Sequence, residues 1–271
     1  MLQATKTRLE PTELAPETFL IHNHQGEGGP AAVALNAMVI RGAEPVIVDT
    51  GAPEHRESFL ADVFGLVAPE DVRWLYISHD DIDHTGNLNA VMDACPNATL
   101  VCNWFITERM GETLAVDPRR WRWVGDGESF TAGDRTLHAI RPPVFDAPTT
   151  RGLFDDKTGV YWASDSFATP MLTPVPDVDA LDPQYWTDGM VMFHNYISPW
   201  LALVDETRFQ RTVDRIEQLA PRAIAGCHTP RVRAEFVAEA MRTMRRTPTA
   251  AFPAEPDQAV LDEIQRALSA A

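Results

Sequence analysis

The stretch Ser78-His79-Asp80-Asp81-Ile82-Asp83-His84-Thr85-Gly86-Asn87 decides how this chain is read. It follows Trp74-Leu75-Tyr76-Ile77, an apolar run of strand length. The metal-competent side chains of His79, Asp81, Asp83 and His84 therefore crowd onto a strand-to-loop corner. In an extended segment residues 79 and 81 project to one side, while Asp83 and His84 turn to a second point. The pattern H-x-D-x-D-H can thus address two cations at once. Any pair of these residues alone would read as part of a solvated acidic loop. All of them together, at the end of a buried strand, concentrate charge that a cation must offset.

The pattern resembles the H-x-[HED]-x-D-H signature of the metallo-β-lactamase fold. The acid at its third position is similar to the branch holding flavodiiron proteins and stand-alone oxygen-binding di-iron proteins. That resemblance implies an α/β architecture, the four-layer αββα sandwich, whose site is closed by a third histidine, a bridging aspartate and a last histidine. Asp165 in Ala163-Ser164-Asp165-Ser166-Phe167 resembles the bridging aspartate, and His228 in Ala225-Gly226-Cys227-His228-Thr229 resembles the last histidine. Where the third histidine is expected the chain reads Val144-Phe145-Asp146-Ala147-Pro148-Thr149-Thr150, which makes Asp146 the occupant. The family pattern then assigns one metal to His79, Asp81, Asp146 and the shared Asp165, and the other to Asp83, His84, His228 and Asp165. The resemblance covers residues 34–246.

A set this rich in carboxylates favours a hard ion, so of two bound metal ions iron is expected ahead of zinc or manganese. Such a centre implies an oxidoreductase that binds or handles dioxygen or nitric oxide. The alternative, on the same residues, is a zinc, manganese or iron hydrolase acting on an ester, lactone, thioester or phosphodiester. Flavodiiron proteins carry a flavodoxin-like domain after the metal domain, and none is recognisable here, so electrons are expected from an external donor. Either way the partner at the site is a small-molecule substrate or dioxygen.

Other residues are candidates on position alone. Asp83 belongs to the reacting centre as well as to the ligand set. Pro183 to Tyr196 reads as a helix with Trp186, Met190, Phe193 and Ile197 on one stripe. His194 and Tyr196 near its end could donate to a bound oxygen species. His22 and His24 share a strand face and could reach a metal or simply sit on an edge strand. Asp49, in Val48-Asp49-Thr50-Gly51, either orients a metal-bound histidine or forms a turn. Cys227 adjoins His228 but reads as a small buried strand-end residue rather than a thiolate ligand. The proline-rich residues 168–183 read as a loop covering the site.

A net charge of −16 on 271 residues repels nucleic acid and anionic membranes, so neither is an expected partner. Three cysteines, Cys95, Cys102 and Cys227, have no C-x-x-C spacing and read as reduced. The N-terminus lacks a secretory core, and no apolar run approaches the ~20 residues of a membrane span. A cytoplasmic location is expected. Residues 1–18 read as a loosely held arm, 19–246 as the metal-binding domain, and 247–271 as a proline-rich linker with a short helix that offers a second copy a face for homo-oligomer formation. Residues 117–134 read as a β-hairpin region, 104–114 as a helix, and 231–246 as a helix.

Overall fold

Period-two alternation along the strands sorts their side chains into different interiors, and the architecture follows from that sorting. The computed structural model describes residues 7–29, 31–251 and 254–270. The first half runs β1 (Thr12–Ala15), β2 (Thr18–Ile21), β3 (His24–Gln25), β4 (Val33–Ala34), β5 (Ala37–Ile40), β6 (Val46–Val48), α1 (Arg56–Leu66), β7 (Trp74–Ile77), α2 (Ile82–Thr85), α3 (Leu88–Ala94), β8 (Thr99–Cys102), α4 (Trp104–Met110) and β9 (Trp121–Trp123). The second half runs β10 (Ser129–Ala132), β11 (Arg135–Ile140), β12 (Gly152–Asp155), β13 (Val160–Trp162), α5 (Pro183–Ile197), α6 (Glu206–Glu217), β14 (Ala223–Gly226), β15 (Thr229–Arg233), α7 (Ala234–Arg246) and α8 (Gln258–Ala270).

One sheet has the order β1-β2-β5-β6-β7-β8-β9 and the other β10-β11-β12-β13-β14-β15, with β3 and β4 paired separately. From the first sheet Leu20, Met38, Val46, Val48, Tyr76 and Val101 face inward. They meet Phe130, Leu137, Leu153, Val160, Trp162 and Ala225 of the second sheet. Their chain neighbours Ile21, Val39, Ile47, Leu75 and Ile77 face the other way, under Phe59 and Val63 of α1 and Val91 and Met92 of α3. On the far side Tyr161, Ile224 and Val232 are covered by Trp186 and Met190 of α5, Val213 and Ile216 of α6, and Met241 and Met244 of α7. Both faces of each sheet are thus apolar and buried, which is the αββα sandwich. β6, β7 and β8 are parallel neighbours. Their crossovers must therefore return over one face, and α1 and α3 lie in those connections.

Several expectations are corrected. Residues 12–15 are no loose arm but an edge strand, β1, antiparallel to β2; residues 1–6 lie outside those described. Residues 117–134 do not form one hairpin, because β9 pairs in parallel with β8 while β10 pairs with β11 in the other sheet. The segment is the bridge between sheets, with Trp121 packed against the outer core and Phe130 in the central one. α4 stops at Met110, since Gly111 takes a φ of +50° that an α-helix cannot continue. Residues 229–233, read partly as helix, are a strand. The loop of residues 168–183, expected to cover the site, is tied down: Ala32 and Met171 exchange backbone hydrogen bonds of 2.7 and 2.8 Å, and Thr169 N donates to the His228 carbonyl at 3.1 Å. Among the described residues no helix is long and apolar enough to cross a membrane.

Candidate metal centre

β6 and β7 run parallel in one sheet, and β13 and β14 run parallel in the other. The loops after these strands carry Asp49, residues 78–84, Asp165 and Cys227-His228 to a common edge of the sandwich, the place where α/β folds build sites. Asp165 stands between two groups of side chains. Its Oδ1 is 2.8 Å from His84 Nε2 and 3.2 Å from His228 Nε2, while its Oδ2 is 3.8 Å from His79 Nε2. His79 Nε2 also faces Asp81 Oδ2 at 3.3 Å and Asp146 Oδ1 at 3.2 Å. On the other side His228 Nε2 is 3.3 Å from Asp83 Oδ2. The sequence-selected His79, Asp81, Asp83, His84, Asp146, Asp165 and His228 are therefore brought together, in two groups that meet at one carboxylate.

Each histidine ring is aimed by what holds its other nitrogen. His84 Nδ1 lies 2.9 Å from Asp49 Oδ2, and His228 Nδ1 donates to the Ala34 carbonyl at 2.8 Å. His79 Nδ1 faces the hydroxyls of Thr149 and Thr150, each at 3.4 Å, and Asp80 Oδ1 at 3.5 Å. All three rings so present Nε2 to the carboxylates. Asp49 itself is fully buried and held by Ser78 N at 2.7 Å and Trp162 Nε1 at 2.9 Å. It takes a φ of +58°, and Ser164 (+55°) and Phe167 (+63°) flank Asp165 in the same left-handed region. Such conformations cost on the order of 1–3 kcal/mol each and persist where surrounding contacts dictate them.

The electrostatics follow from this crowding. Burial alone would depress the His79 imidazole, but the carboxylates of Asp165, Asp146 and Asp81 outweigh it and hold its pKa up at about 10. Burial likewise opposes, and Cys227 and Asp165 overcome, in raising His84 and His228 well above the ordinary value. Asp165 is pushed up by burial but drawn well below its usual range by His84 and His79. Imidazoles that bind protons this strongly occupy a place where positive charge is wanted.

A family model described as ODP family beta lactamase matches residues 33–229, which include every one of these loops. The chain belongs to that family. Among curated relatives of this ODP-family chain, a nitric oxide reductase from Moorella thermoacetica is 24% identical over 74% of this chain and 51% of its own. A coenzyme F420H(2) oxidase from Methanothermobacter thermautotrophicus is 28% identical over 69% of this chain and 48% of its own. The chain thus spans about half, or less, of the length of these relatives. Of solved structures, rubredoxin oxygen:oxidoreductase from Desulfovibrio gigas superimposes with a TM-score of 0.77 at 17% identity, over 89% of this chain and 62% of that one. The Giardia intestinalis flavodiiron protein does so with 0.77 at 16%, over 90% and 60%. The fold is accordingly the metallo-β-lactamase-like sandwich of flavodiiron cores.

The ODP-family site has a donor set that suits metal ions. His79 Nε2 is buried and, among the described residues, makes no hydrogen bond, although three carboxylates surround it. Once its proton is displaced, an Nε2 so placed offers a cation the lone pair that no neighbour takes up. Other candidates fare differently. His194 is fully buried, its Nδ1 2.6 Å from the Met190 carbonyl. That contact requires Nδ1 to carry the hydrogen, so Nε2 is an acceptor and not the donor expected from sequence. Burial lowers its pKa to about 4 and keeps the ring neutral. The Tyr196 hydroxyl donates to the Ala254 carbonyl at 2.8 Å and not to any of the clustered residues. His22 and His24 bind Thr12 and Glu27 instead, at 2.8 and 3.2 Å, and line a separate pocket of about 250 Å³ with Arg8 and Ser58.

Sequence reasoning named Asp49 as an orienting residue or a turn-former, and missed the other supports. Asp80, whose Oδ1 lies 3.5 Å from His79 Nδ1, is bonded by Arg109 and by the Thr149 hydroxyl. No local pattern marks Arg109 or Trp162, because each comes to the site from a distant element.

Proposed function

We propose that this chain holds two iron ions and acts as a di-iron protein that binds or reduces dioxygen or nitric oxide, with electrons from a separate donor. The observation that carries the reading is Asp165, whose two carboxylate oxygens face His79 on one side and His84 with His228 on the other. His79, Asp81, Asp146 and Asp165 would hold one ion, and Asp83, His84, His228 and Asp165 the other. One nitrogen among three carboxylates is a hard set, which favours iron over the imidazole-rich zinc sites of hydrolases. Two of the relatives, a nitric oxide reductase and a coenzyme F420H(2) oxidase, are named for redox chemistry.

Bound iron would supply one-electron chemistry to a diatomic ligand at open coordination positions. The chain's own residues prepare that place. Asp49, the Ala34 carbonyl and the Thr149 and Thr150 hydroxyls fix ring orientation before any ion binds. The Phe193 ring, 5.7 Å from that of His228, lays an apolar face beside the site. His194 Nε2, neutral and without a partner among the described residues, can accept a hydrogen bond.

The test is metal content and turnover. Protein produced with iron and purified in air should carry two irons per chain. After chemical reduction it should consume dioxygen or nitric oxide in a stopped-flow cell. Protein that takes up only zinc, and that cleaves esters or lactones without reacting with either gas, would overturn the reading in favour of the hydrolase.

A further inference from the structure

We infer that Cys227 is a metal ligand too, and that the position formed by Asp83, His84 and His228 carries a thiolate. The inference rests on the two-metal reading above. One donor atom from each of Asp83, His84, Cys227 and His228 can be chosen so that all lie within 4.8 Å of one another. Two donors each 2.0–2.3 Å from a common ion are separated by about 3 Å at a right angle and about 4.5 Å when opposed. All four can therefore meet one ion once the side chains close in around it. The Sγ atom already stands 3.8 Å from Asp83 Oδ2 and is shielded from solvent.

Adjacent residues on a regular strand point to opposite faces, so Cys227 and His228 should not converge. Here the β14–β15 register shifts between Ile224 and Gly226, and that irregularity breaks the alternation immediately before the pair. Backbone bonds then hold the turned segment from both sides: Cys227 N donates to the Ser164 carbonyl at 2.8 Å, and Asn36 N donates to the Cys227 carbonyl at 2.9 Å. The first of these partners precedes Asp165, which locks the cysteine to the same loop as the shared carboxylate. Cys95 and Cys102, by contrast, sit in the outer apolar core, where burial pushes their pKa values up to about 11 and about 12. They remain thiols away from the site.

Ligation would release the Sγ proton to solvent and leave the sulfur as thiolate, adding one negative charge and one soft donor to this position only. The two positions would then differ in kind: one nitrogen with three carboxylates on the His79 side, two nitrogens, two carboxylates and a sulfur on the other.

The experiment loads metal-free protein with cobalt(II) alone and reads metal per chain, near-ultraviolet absorption and the cobalt-edge X-ray spectrum. The parent should bind two cobalt ions, show a thiolate-to-cobalt charge-transfer band, and show a sulfur neighbour at about 2.3 Å. Cys227→Ser and Cys227→Ala should lose the band and hold one ion at least tenfold more weakly, while a Cys95→Ala, Cys102→Ala double variant keeps both. A parent with two cobalt ions but neither band nor sulfur neighbour overturns the cysteine assignment and leaves the two-metal reading standing. A parent that binds no cobalt overturns both. The X-ray measurement needs no variant, so a misfolded Cys227 substitution does not rescue the idea.

Discussion

His84 Nδ1 lies 2.9 Å from Asp49 Oδ2, and neither side chain is exposed to solvent at all. That single contact ties the end of β6 to the loop after β7 and chooses which ring nitrogen faces Asp165. Asp49→Asn keeps the shape but offers an amide where a carboxylate received the His84 and Trp162 N–H groups. Metal affinity at the His84 position should drop about 10- to 100-fold, the usual cost of losing such a partner. Isothermal titration with a divalent ion measures it, and unchanged affinity would show that Asp49 serves only the turn.

Asp165 contributes one oxygen to each group of side chains, so its loss should be felt on both sides. Asp165→Ala is expected to hold neither ion after dialysis, whereas Asp83→Ala should lose one. The metal count per chain decides, and retention of a full pair in Asp165→Ala would rule out a shared carboxylate.

Asp146 Oδ1, 3.2 Å from His79 Nε2, occupies the place where the family pattern has histidine. As a ligand it adds negative charge beside Asp81 and Asp165 and stabilises a trivalent ion. Asp146→Ala should therefore hold one ion tightly and the other weakly. Asp146→His should hold two, with a more positive reduction midpoint for the iron on the His79 side. If both variants retain two ions as tightly as the parent, Asp146 is only a loop residue.

His22 and His194 both have pKa values lowered to about 4, chiefly by burial, from 6.5 in the free residue. Above pH 6.5 both are neutral folded or unfolded and cost nothing. As pH falls from 6.5 towards 4 the unfolded chain takes up protons that the fold refuses, so stability is lost through that window. Each histidine accounts for up to about 3 kcal/mol of it. Denaturant melts at pH 7.5 and 4.5 should show the drop, and His22→Asn and His194→Gln should each shrink it. An identical drop in both variants would mean that other groups set the acid limit.

Much of the candidate site was legible in the chain because its metal-competent residues come as a local cluster at the end of an apolar strand. His79, Asp81, Asp83 and His84 need only the geometry of an extended segment followed by a turn to be recognised as partners. Asp146, Asp165 and His228 were legible through the family pattern, each placed at the end of a strand or its following loop. The alternation of apolar residues also carried most of the strands, since a strand buried on both faces shows as a continuous apolar run. Expectations failed where a segment's fate depends on a distant neighbour. Thr12–Ala15 is polar enough to read as an arm and becomes a strand only because β2 offers an unpaired edge. β9 and β10 look like the arms of one hairpin, and only the packing of Trp121 and Phe130 into different cores parts them.

The sequence by itself determined the ligand chemistry: which residue types stand at the strand ends, and how much carboxylate they bring. Only the tertiary structure decided where each ring nitrogen points, that Tyr196 turns to Ala254, that His194 accepts rather than donates, and that Cys227 stands beside Asp83. The reason is physical. The identity of a donor is a covalent property of the chain, but its direction is set by hydrogen bonds to partners that folding supplies: Met190 reaches His194 within one helix, Asp49 meets His84 once β6 and β7 pair, and Ala34 and Thr149 meet His228 and His79 only once the two halves of the chain have closed on each other.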